Sequence, residues 1–445
     1  MSAPIVPLAE VSVTDPIVRL RKALDVNAMA EHFAANRLPV GGAGRAVGCE
    51  VTRVHPRGSR GFVIAYDLQM EGSGRRWVES LQAELVPGDA EAHCRAVASR
   101  LGDGAGSHLP YPSNHLVACV PDPGLVLRRP ATDEALAGLR MLDRPGEVGP
   151  ILSATGIVGP GAADAVSVQL LGHRLGKRAV LRLYWRASQQ DRQTSFSVIA
   201  KLFKRRSNKV HSLCEAMGAL RRDGLDGSNG VRVPEVLGQS TGAGAVLLED
   251  IPGTPLPELA AAELPSGMAL AGRALARLHL ARVAGLKTHG VEDELDLLEA
   301  WVDLVGGVRP ELRSLVETGL ATVRAALSRV GNGPAVVIHR DFHLKQVLLE
   351  GETAVLTDFD TLCTGDPALD VGNFLAHLRL TDLQSGGDLD AQTAAFLGAY
   401  GAAATGDLAV RIVAYERAAL LRLACLYSLS TRWAQLARPL LRGLT

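Results

Sequence analysis

The stretch VVIHRDFHLKQVLLEGETAVLTDFDTLCTGDPALDVGNFLAH, residues 336–377, sets charged groups at the ends of apolar runs that read as buried strands. In HRDFHLKQVLL the order is His339, Asp341, His343 and Gln346, then an apolar strand; in AVLTDFD a second strand delivers Asp358 and Asp360 at its end. A carboxylate able to accept a hydroxyl proton, an amide oxygen and a second carboxylate are thereby brought to one hairpin. Hard oxygen donors so spaced suit Mg2+ bridging nucleotide phosphates, because Mg2+ keeps several waters and needs only one or two protein carboxylates. In the bland alternative His-Arg-Asp is a surface turn and Asp358 a strand-end cap, which leaves GDPALD at 365–370 unexplained.

Outward from this stretch the chain changes character twice. At 445 residues it is too long for one hydrophobic core, so two or three domains are expected. From about 50 to 140, short β-like runs (GFVIAYDLQM, HLVACV, GLVLRR) alternate with Gly, Pro and Ser turns. From about 166 to 250 the pattern returns: VSVQLL, RAVLRLYWRA, FSVIAKLFK and AVLLEDI read as four strands. One amphipathic helix, KVHSLCEAMGALRR, follows the third, with Val210, Leu213, Met217 and Leu220 at helical spacing. From about 256 onward the chain is helical, including a long final segment from Ala409 to Leu440; only 336–360 interrupts it with strands. A small β-rich lobe thus precedes a larger helical one, and a cleft between such lobes is a usual place for a ligand.

Composition narrows the classes. Lys plus Arg and Asp plus Glu balance at 47 each and aromatics are 4%, so there is no field or stacking surface for nucleic acid and none for an anionic membrane. The six cysteines are scattered without a C-x-x-C pair, which fits free thiols in a reducing compartment. The N-terminus lacks the basic and apolar regions of a secretory signal, and no apolar run approaches the roughly 20 residues that span a bilayer. A cytoplasmic protein is expected.

The residues His339, Asp341, His343, then Asp358-Phe359-Asp360, then Gly365-Asp366-Pro367 and Asp370 together resemble the pattern of the aminoglycoside phosphotransferase and choline kinase superfamily, small-molecule kinases of the protein-kinase-like fold. Gln346 departs from it, since most members carry Asn there; the maltokinase-like sugar and aminosugar kinase branch resembles this chain in that glutamine and in length. The resemblance implies an α+β, bilobal architecture: an N-terminal cap over 1–150, a β-rich N-lobe over 151–255 and a helical C-lobe over 256–445. It implies ATP and Mg2+ as cofactors. Asp341 would orient and deprotonate the acceptor hydroxyl, His343 would line the acceptor side of the loop, and Gln346 and Asp358 would hold the metal, with Asp360 assisting or capping its strand. Lys201, in SVIAKLFK, would bind phosphate oxygens and pair with Glu215 on the next helix, whereas Lys204 points to the opposite strand face. The backbone of Glu249, Asp250 and Ile251 would read the adenine edge. The turn GHRLGKR has no G-x-G-x-x-G, so a glycine loop over the phosphates is not expected.

Between Asp358 and Asp370 almost nothing intervenes, so a polypeptide acceptor has no platform. A small polar acceptor follows, a sugar or aminosugar first. An aminoglycoside is the alternative, because GVEDELDLLEAWVDL is acidic enough to receive a polycation; the arginine-rich final segment tilts against it. An inactive pseudokinase scaffold has Gln346 as its one supporting feature.

A repeat is also visible. At a shift of 118, HPRGSRGFVIAYD (55–67) lies over HRLGKRAVLRLYW (173–185), matching His55, Gly58, Arg60 and Tyr66 to His173, Gly176, Arg178 and Tyr184. At nearly the same shift GLVLRRP (124–130) lies over AVLLEDI (245–251). This pairing puts Ala83 at the Lys201 position and Arg128 and Arg129 at those of Glu249 and Asp250, as in a degenerate N-lobe without nucleotide chemistry.

Overall fold

Period-two burial along the strands builds two five-stranded antiparallel sheets, one in each of two compact units. The computed structural model describes residues 15–35, 44–57, 61–101, 117–158, 166–189, 192–205, 207–401 and 406–444.

The first unit comprises Met1–Asp133 with Asp303–Ser314 and Cys425–Ala437. Helices α1 (Pro16–Ala23) and α2 (Val26–Ala35) precede β1 (Arg45–Pro56), β2 (Phe62–Gly72) and β3 (Arg75–Leu85); α3 (Ala90–Leu101), β4 (Val117–Val120) and β5 (Leu125–Arg128) follow. The sheet order is β1-β2-β3-β5-β4. Residues 303–314 and 425–437, expected within a continuous C-lobe, belong here instead: Thr431 Oγ1 accepts from the Val51 N–H at 2.8 Å, and the Arg21 guanidinium donates to the Gly307 carbonyl at 3.0 Å.

The second unit comprises Glu134–Val302, Leu315–Ala424 and Arg438–Thr445. It opens on α4 (Val148–Ala154), then β6 (Ser167–Arg174), β7 (Arg178–Gln189), β8 (Arg192–Phe203), α5 (Lys209–Arg222), β9 (Val231–Arg232), β10 (Val236–Ser240) and β11 (Ala245–Glu249). The sheet order is β6-β7-β8-β11-β10. Leu136, Leu139, Val148 and Leu152 pack with Leu181, Ala200 and Leu247 in its core. Residues 134–150 therefore go with the second sheet, and the break falls near 133 rather than 150. In α5 the four apolar residues read from the sequence are all buried.

The remaining elements are β12 (Thr254–Pro255), α6 (Leu264–His279), β13 (Thr288–His289), α7 (Val291–Val308), α8 (Arg313–Val330), β14 (Val336–Ile338), the hairpin of β15 (Val347–Glu350) and β16 (Thr353–Leu356), β17 (Cys363–Gly365), α9 (Pro367–Ser385), α10 (Leu389–Tyr400) and α11 (Asp407–Ser428). The segment expected to run as one helix to Leu440 ends its long helix at Ser428. Among the described residues no helix is long and apolar enough to cross a membrane. All six cysteines are free thiols.

The two sheets share more than strand order. Each places one helix, α3 or α5, after its third strand and before its last two. Gly124 and Gly244, both at positive φ (94° and 66°), start the last strand, and their carbonyls accept the N–H of Val86 and of Phe203 at 3.2 and 2.8 Å. This sets Leu85, paired with Leu125 and Phe62, equivalent to Leu202, paired with Ala245 and Ala179. The shift is thus 117 in β2 and β3 and 120 in β5, not 118 and 121. A one-residue slip exchanges the two faces of a strand. The equivalent of Lys201 is therefore Glu84, not Ala83, and Tyr66, fully buried, matches buried Leu183 rather than Tyr184, which is 46% exposed. Arg129, not Arg128, stands at the position of Glu249. The matched Gly58 and Arg60 lie outside the described residues.

Candidate active site

Two short strands carry the site. After β14 the chain enters HRD, where the N–H groups of His339 and Arg340 both donate to the fully buried carboxylate of Asp370, at 2.6 Å each. These bonds hold Arg340 at φ 68°, a left-handed conformation costly for a side chain bearing a Cβ. Asp370 can reach them because α9 is anchored at its start. Asp366 caps that helix by accepting the Ala368 N–H at 2.9 Å, and Pro367 follows at the first helical position. His339 is buried, and its Nε2–H donates to the Thr357 carbonyl at 2.7 Å, tying the loop to the residue before Asp358. Beneath lie Phe342, Phe374 and Phe396, with ring centroids 5.3 and 4.0 Å apart in sequence of contact.

Asp341, which follows Arg340, is half-buried in the wall of a cavity of about 370 Å3, and among the described residues its carboxylate has no hydrogen bond or ion pair. Asp358 and Asp360 line the same cavity. Asp358 takes φ 63°, again left-handed, at the turn where β16 ends.

Lys201, 8% exposed on β8, meets both carboxylates: its Nζ lies 2.7 Å from Asp358 Oδ1 and 2.7 Å from Asp360 Oδ1. The pair expected with Glu215 is not formed; Glu215 is exposed on α5 while Lys201 faces the aspartates. Two further cations complete the cluster. Arg178, the first residue of β7, donates to both oxygens of Asp358 at 2.8 and 3.1 Å and also to Asp360. Lys209 Nζ donates to the Asp360 carbonyl at 3.0 Å. Burial pushes the Asp358 carboxyl up, but Lys201 and Arg178 together outweigh it and hold the carboxyl well below the usual range. Arg178 and Lys209 were not expected in the site; the signal for Arg178 was the basic pair after the GHRLG turn, and that for Lys209 the basic run KLFKRRSNK at 201–209.

Gln346 closes a single 3-10 turn after His343, and its side-chain amide lies 3.2 Å from Thr357 Oγ1 and 3.3 Å from His343 Nε2. His343 stacks on His377 with centroids 4.6 Å apart, and its Nδ1 accepts the Lys345 N–H at 3.2 Å. Neither His343 nor Gln346 is among the residues lining the cavity; both lie in the loop's support. Burial keeps the His343 and His377 imidazoles neutral at pH 7.

At the end of β11 the Glu249 N–H already donates to the Glu235 carbonyl at 3.0 Å, and its carboxylate is held by Arg232 at 2.7 and 3.0 Å. Asp250 pairs with Arg182 at 2.8 Å. Of the three expected hinge residues, the backbone N–H of Glu249 is thus committed inside the protein. A second, larger cavity of about 970 Å3 lies along α6 beside Arg273, Arg277 and Glu352 and contains none of the motif residues.

Among the described residues no three His, Cys, Asp or Glu side chains form a ready metal cage. The donor chemistry nevertheless fits Mg2+, which takes one or two carboxylates and completes its shell elsewhere. Asp358 and Asp360 converge on one point, and that point already attracts two cationic side chains.

No curated relative matches the chain. Solved structures similar to it include a choline/ethanolamine kinase family protein from Mesorhizobium loti (19% identity, 67% of this chain and 92% of that one, TM-score 0.46). A macrolide 2'-phosphotransferase from Brachybacterium faecium matches at 19% identity over 67% of this chain and 98% of that one, with a TM-score of 0.42. The ethanolamine kinase of Plasmodium vivax matches at 13% identity over 67% and 82%, with a TM-score of 0.43. The sequence profile of the phosphotransferase enzyme family matches residues 167–419, from the first strand of the second sheet to within α11. With over half its length matched, and with Lys201, Asp341 and Asp358 all inside the matched span, this chain belongs to the phosphotransferase enzyme family.

Proposed function

We propose that this protein transfers the γ-phosphoryl group of ATP to a hydroxyl of a small polar metabolite, a sugar or aminosugar first, in a Mg2+-dependent reaction. The observation that carries this reading is a cavity lined by Asp341, Asp358, Asp360 and Arg178, where Asp341 has no ion pair or hydrogen bond among the described residues and Lys201 bonds both of the other carboxylates. Asp341 orients the acceptor hydroxyl and accepts its proton; having no partner among the described residues, it is free to do so. Lys201 neutralises phosphate oxygens. Asp358 and Asp360 are the donors that would hold Mg2+, which when bound supplies charge neutralisation at the phosphates; the amide oxygen of Gln346 accepts from Thr357 Oγ1 and would have to leave that bond to join them. The backbone beyond Glu249, at Asp250 and Ile251, is left to meet the base. His343 and His377 stay neutral and stiffen the loop that carries Asp341.

The acceptor is argued from what the acidic helix has left to offer. In α7 Glu294 is buried against Arg422 at 3.1 Å and His289 at 3.0 Å, Glu299 pairs with Arg324, and Asp293 accepts the Gly290 N–H at 2.8 Å. Glu294 is thus neutralised in the interior, and Glu299 and Asp293 have partners nearer the surface. This supports a neutral or singly charged acceptor over the polycationic aminoglycoside. A panel of sugars, aminosugars, choline and aminoglycosides scored by ADP release tests it. Turnover on a sugar or aminosugar is expected; turnover on choline or a peptide with none on sugars would overturn the acceptor assignment.

A further inference from the structure

A guanidinium stands where the metal should go. Arg178 follows the turn Leu175-Gly176-Lys177, with Gly176 at φ 67°, and its backbone is fixed on both sides by pairing with Arg174 and Phe203. From there its side chain reaches both oxygens of Asp358 and one of Asp360. With Lys201, two cations balance two carboxylates in a largely buried cluster, where an unbalanced charge is costly.

We propose that Arg178 is a displaceable stand-in for the divalent cation: it neutralises Asp358 and Asp360 in the nucleotide-free protein and moves onto the nucleotide's phosphate oxygens when metal and nucleotide enter together. This rests on the reading of the cavity as a Mg2+–nucleotide site. Both oxygens of Asp358 are taken by the Arg178 fork, so a divalent ion cannot coordinate them while the fork stays, and like charges would crowd if it did. The guanidinium has a place to go. Arg174, Lys177, Lys204 and Lys209 line the same cavity as Arg178 and the aspartates, Lys204 from just beyond the end of β8 and not turned away from the site as the strand alternation predicts, and together these cations suit a polyphosphate. A bidentate fork is equally matched to phosphate. The device compensates for the absent glycine loop: a charged side chain at the same turn performs the phosphate contact that backbone N–H groups would otherwise make. It also couples the two ligands, because metal alone must expel an ion pair, whereas metal with nucleotide gives the expelled arginine a new partner.

The test uses the full chain, with Mn2+ as the metal probe followed by electron paramagnetic resonance and a non-hydrolysable ATP analogue followed by calorimetry. Arg178→Gln should bind Mn2+ alone about tenfold more tightly than the native protein, and the Mn2+–nucleotide complex about tenfold less tightly. Arg178→Lys, which keeps the charge without the fork, should fall between for both ligands and guards against a folding defect in the first variant. Unchanged or weaker binding of Mn2+ alone in both variants would overturn the stand-in role. Asp358→Asn separates this from failure of the site reading: if it binds the Mn2+–nucleotide complex as well as the native protein does, the cavity is not the metal site at all.

Discussion

The third strand of each sheet carries one buried charge at the same place, and the two charges have opposite sign. On β8 it is Lys201, 8% exposed and held by Asp358 and Asp360; on β3 it is Glu84, 6% exposed and held by Arg57 at 2.5 Å, with Arg128 and His93 each at 3.9 Å. A buried charge survives only beside its opposite, and the source of that opposite separates the two sheets. The partners of Glu84 come from the end of β1, from β5 and from α3, so its cluster closes within its own sheet and helix. The partners of Lys201 come from the turn after β16, in the part of the chain that also supplies Asp341. The strand order occurs twice, and the proposed chemistry belongs to one copy. We read the first sheet as a degenerate copy that binds no nucleotide, because its facing charge would repel phosphate and, among the described residues, it has no counterpart of Asp341 or Asp358.

Breaking the second cluster should have the largest consequence. Lys201→Met and Asp341→Asn are each expected to lower turnover by about a thousandfold in an ADP-release assay. They should part in binding: Asp341→Asn keeps metal-dependent nucleotide affinity, whereas Asp358→Ala loses it. Equal loss of binding in both aspartate variants would contradict the division of roles between them.

In the first cluster the same operation should cost stability and leave chemistry alone. Glu84→Gln leaves Arg57 and Arg128 without their carboxylate, and since Glu84 and Arg128 are nearly inaccessible the loss should be about 3 kcal/mol in urea unfolding. Turnover per folded molecule should not change. A thousandfold fall in turnover would make the first sheet part of the machinery.

The strands, the helix after the third strand and the order of charged residues from His339 to Asp370 were legible because each rests on local pattern: period two, period 3.6, and a cap followed by proline. The register between the two sheets was misread, and the reason is physical. The identities at a shift of 118 gather around the first hairpin, yet the strands there pair alike in both sheets: Pro56 pairs with Phe62 as His173 pairs with Ala179, a shift of 117, so His55 and His173 stand one residue out of register. The better ruler was the strand itself: SLQAEL (80–85) over SVIAKL (197–202) matches serine, alanine and leucine and sets Glu84 on Lys201. Burial follows the same alignment, with Leu81, Ala83 and Leu85 inside as are Val198, Ala200 and Leu202. The Lys201–Asp358 pair was less accessible, because 157 residues separate the partners and only tertiary packing joins them.

Smaller effects sharpen the contrast. The Tyr66 hydroxyl donates to the Ala23 carbonyl at 2.7 Å, while its counterpart Leu183 has no polar group to offer. Tyr66→Phe should cost about 1 kcal/mol in urea unfolding, a tie belonging to the first sheet alone. In the second unit the folded-state pKa of both His343 and His377 lies below the unfolded value of 6.5, because burial disfavours the charged ring. Their contribution is therefore complete above pH 6.5 and is lost as pH falls below it, since the unfolded chain takes up the protons first. The melting temperature should drop from pH 7 to pH 5, and His377→Phe should flatten that drop; an unaltered slope would exclude the pair as its source.

Nucleotide stoichiometry tests the central claim most directly. Calorimetric titration of the full chain with a non-hydrolysable ATP analogue and Mg2+ should give one site per chain, weakened by Lys201→Met and untouched by Glu84→Gln. Two sites per chain, or a single site lost in Glu84→Gln and kept in Lys201→Met, would contradict the assignment of phosphoryl transfer to the second sheet alone.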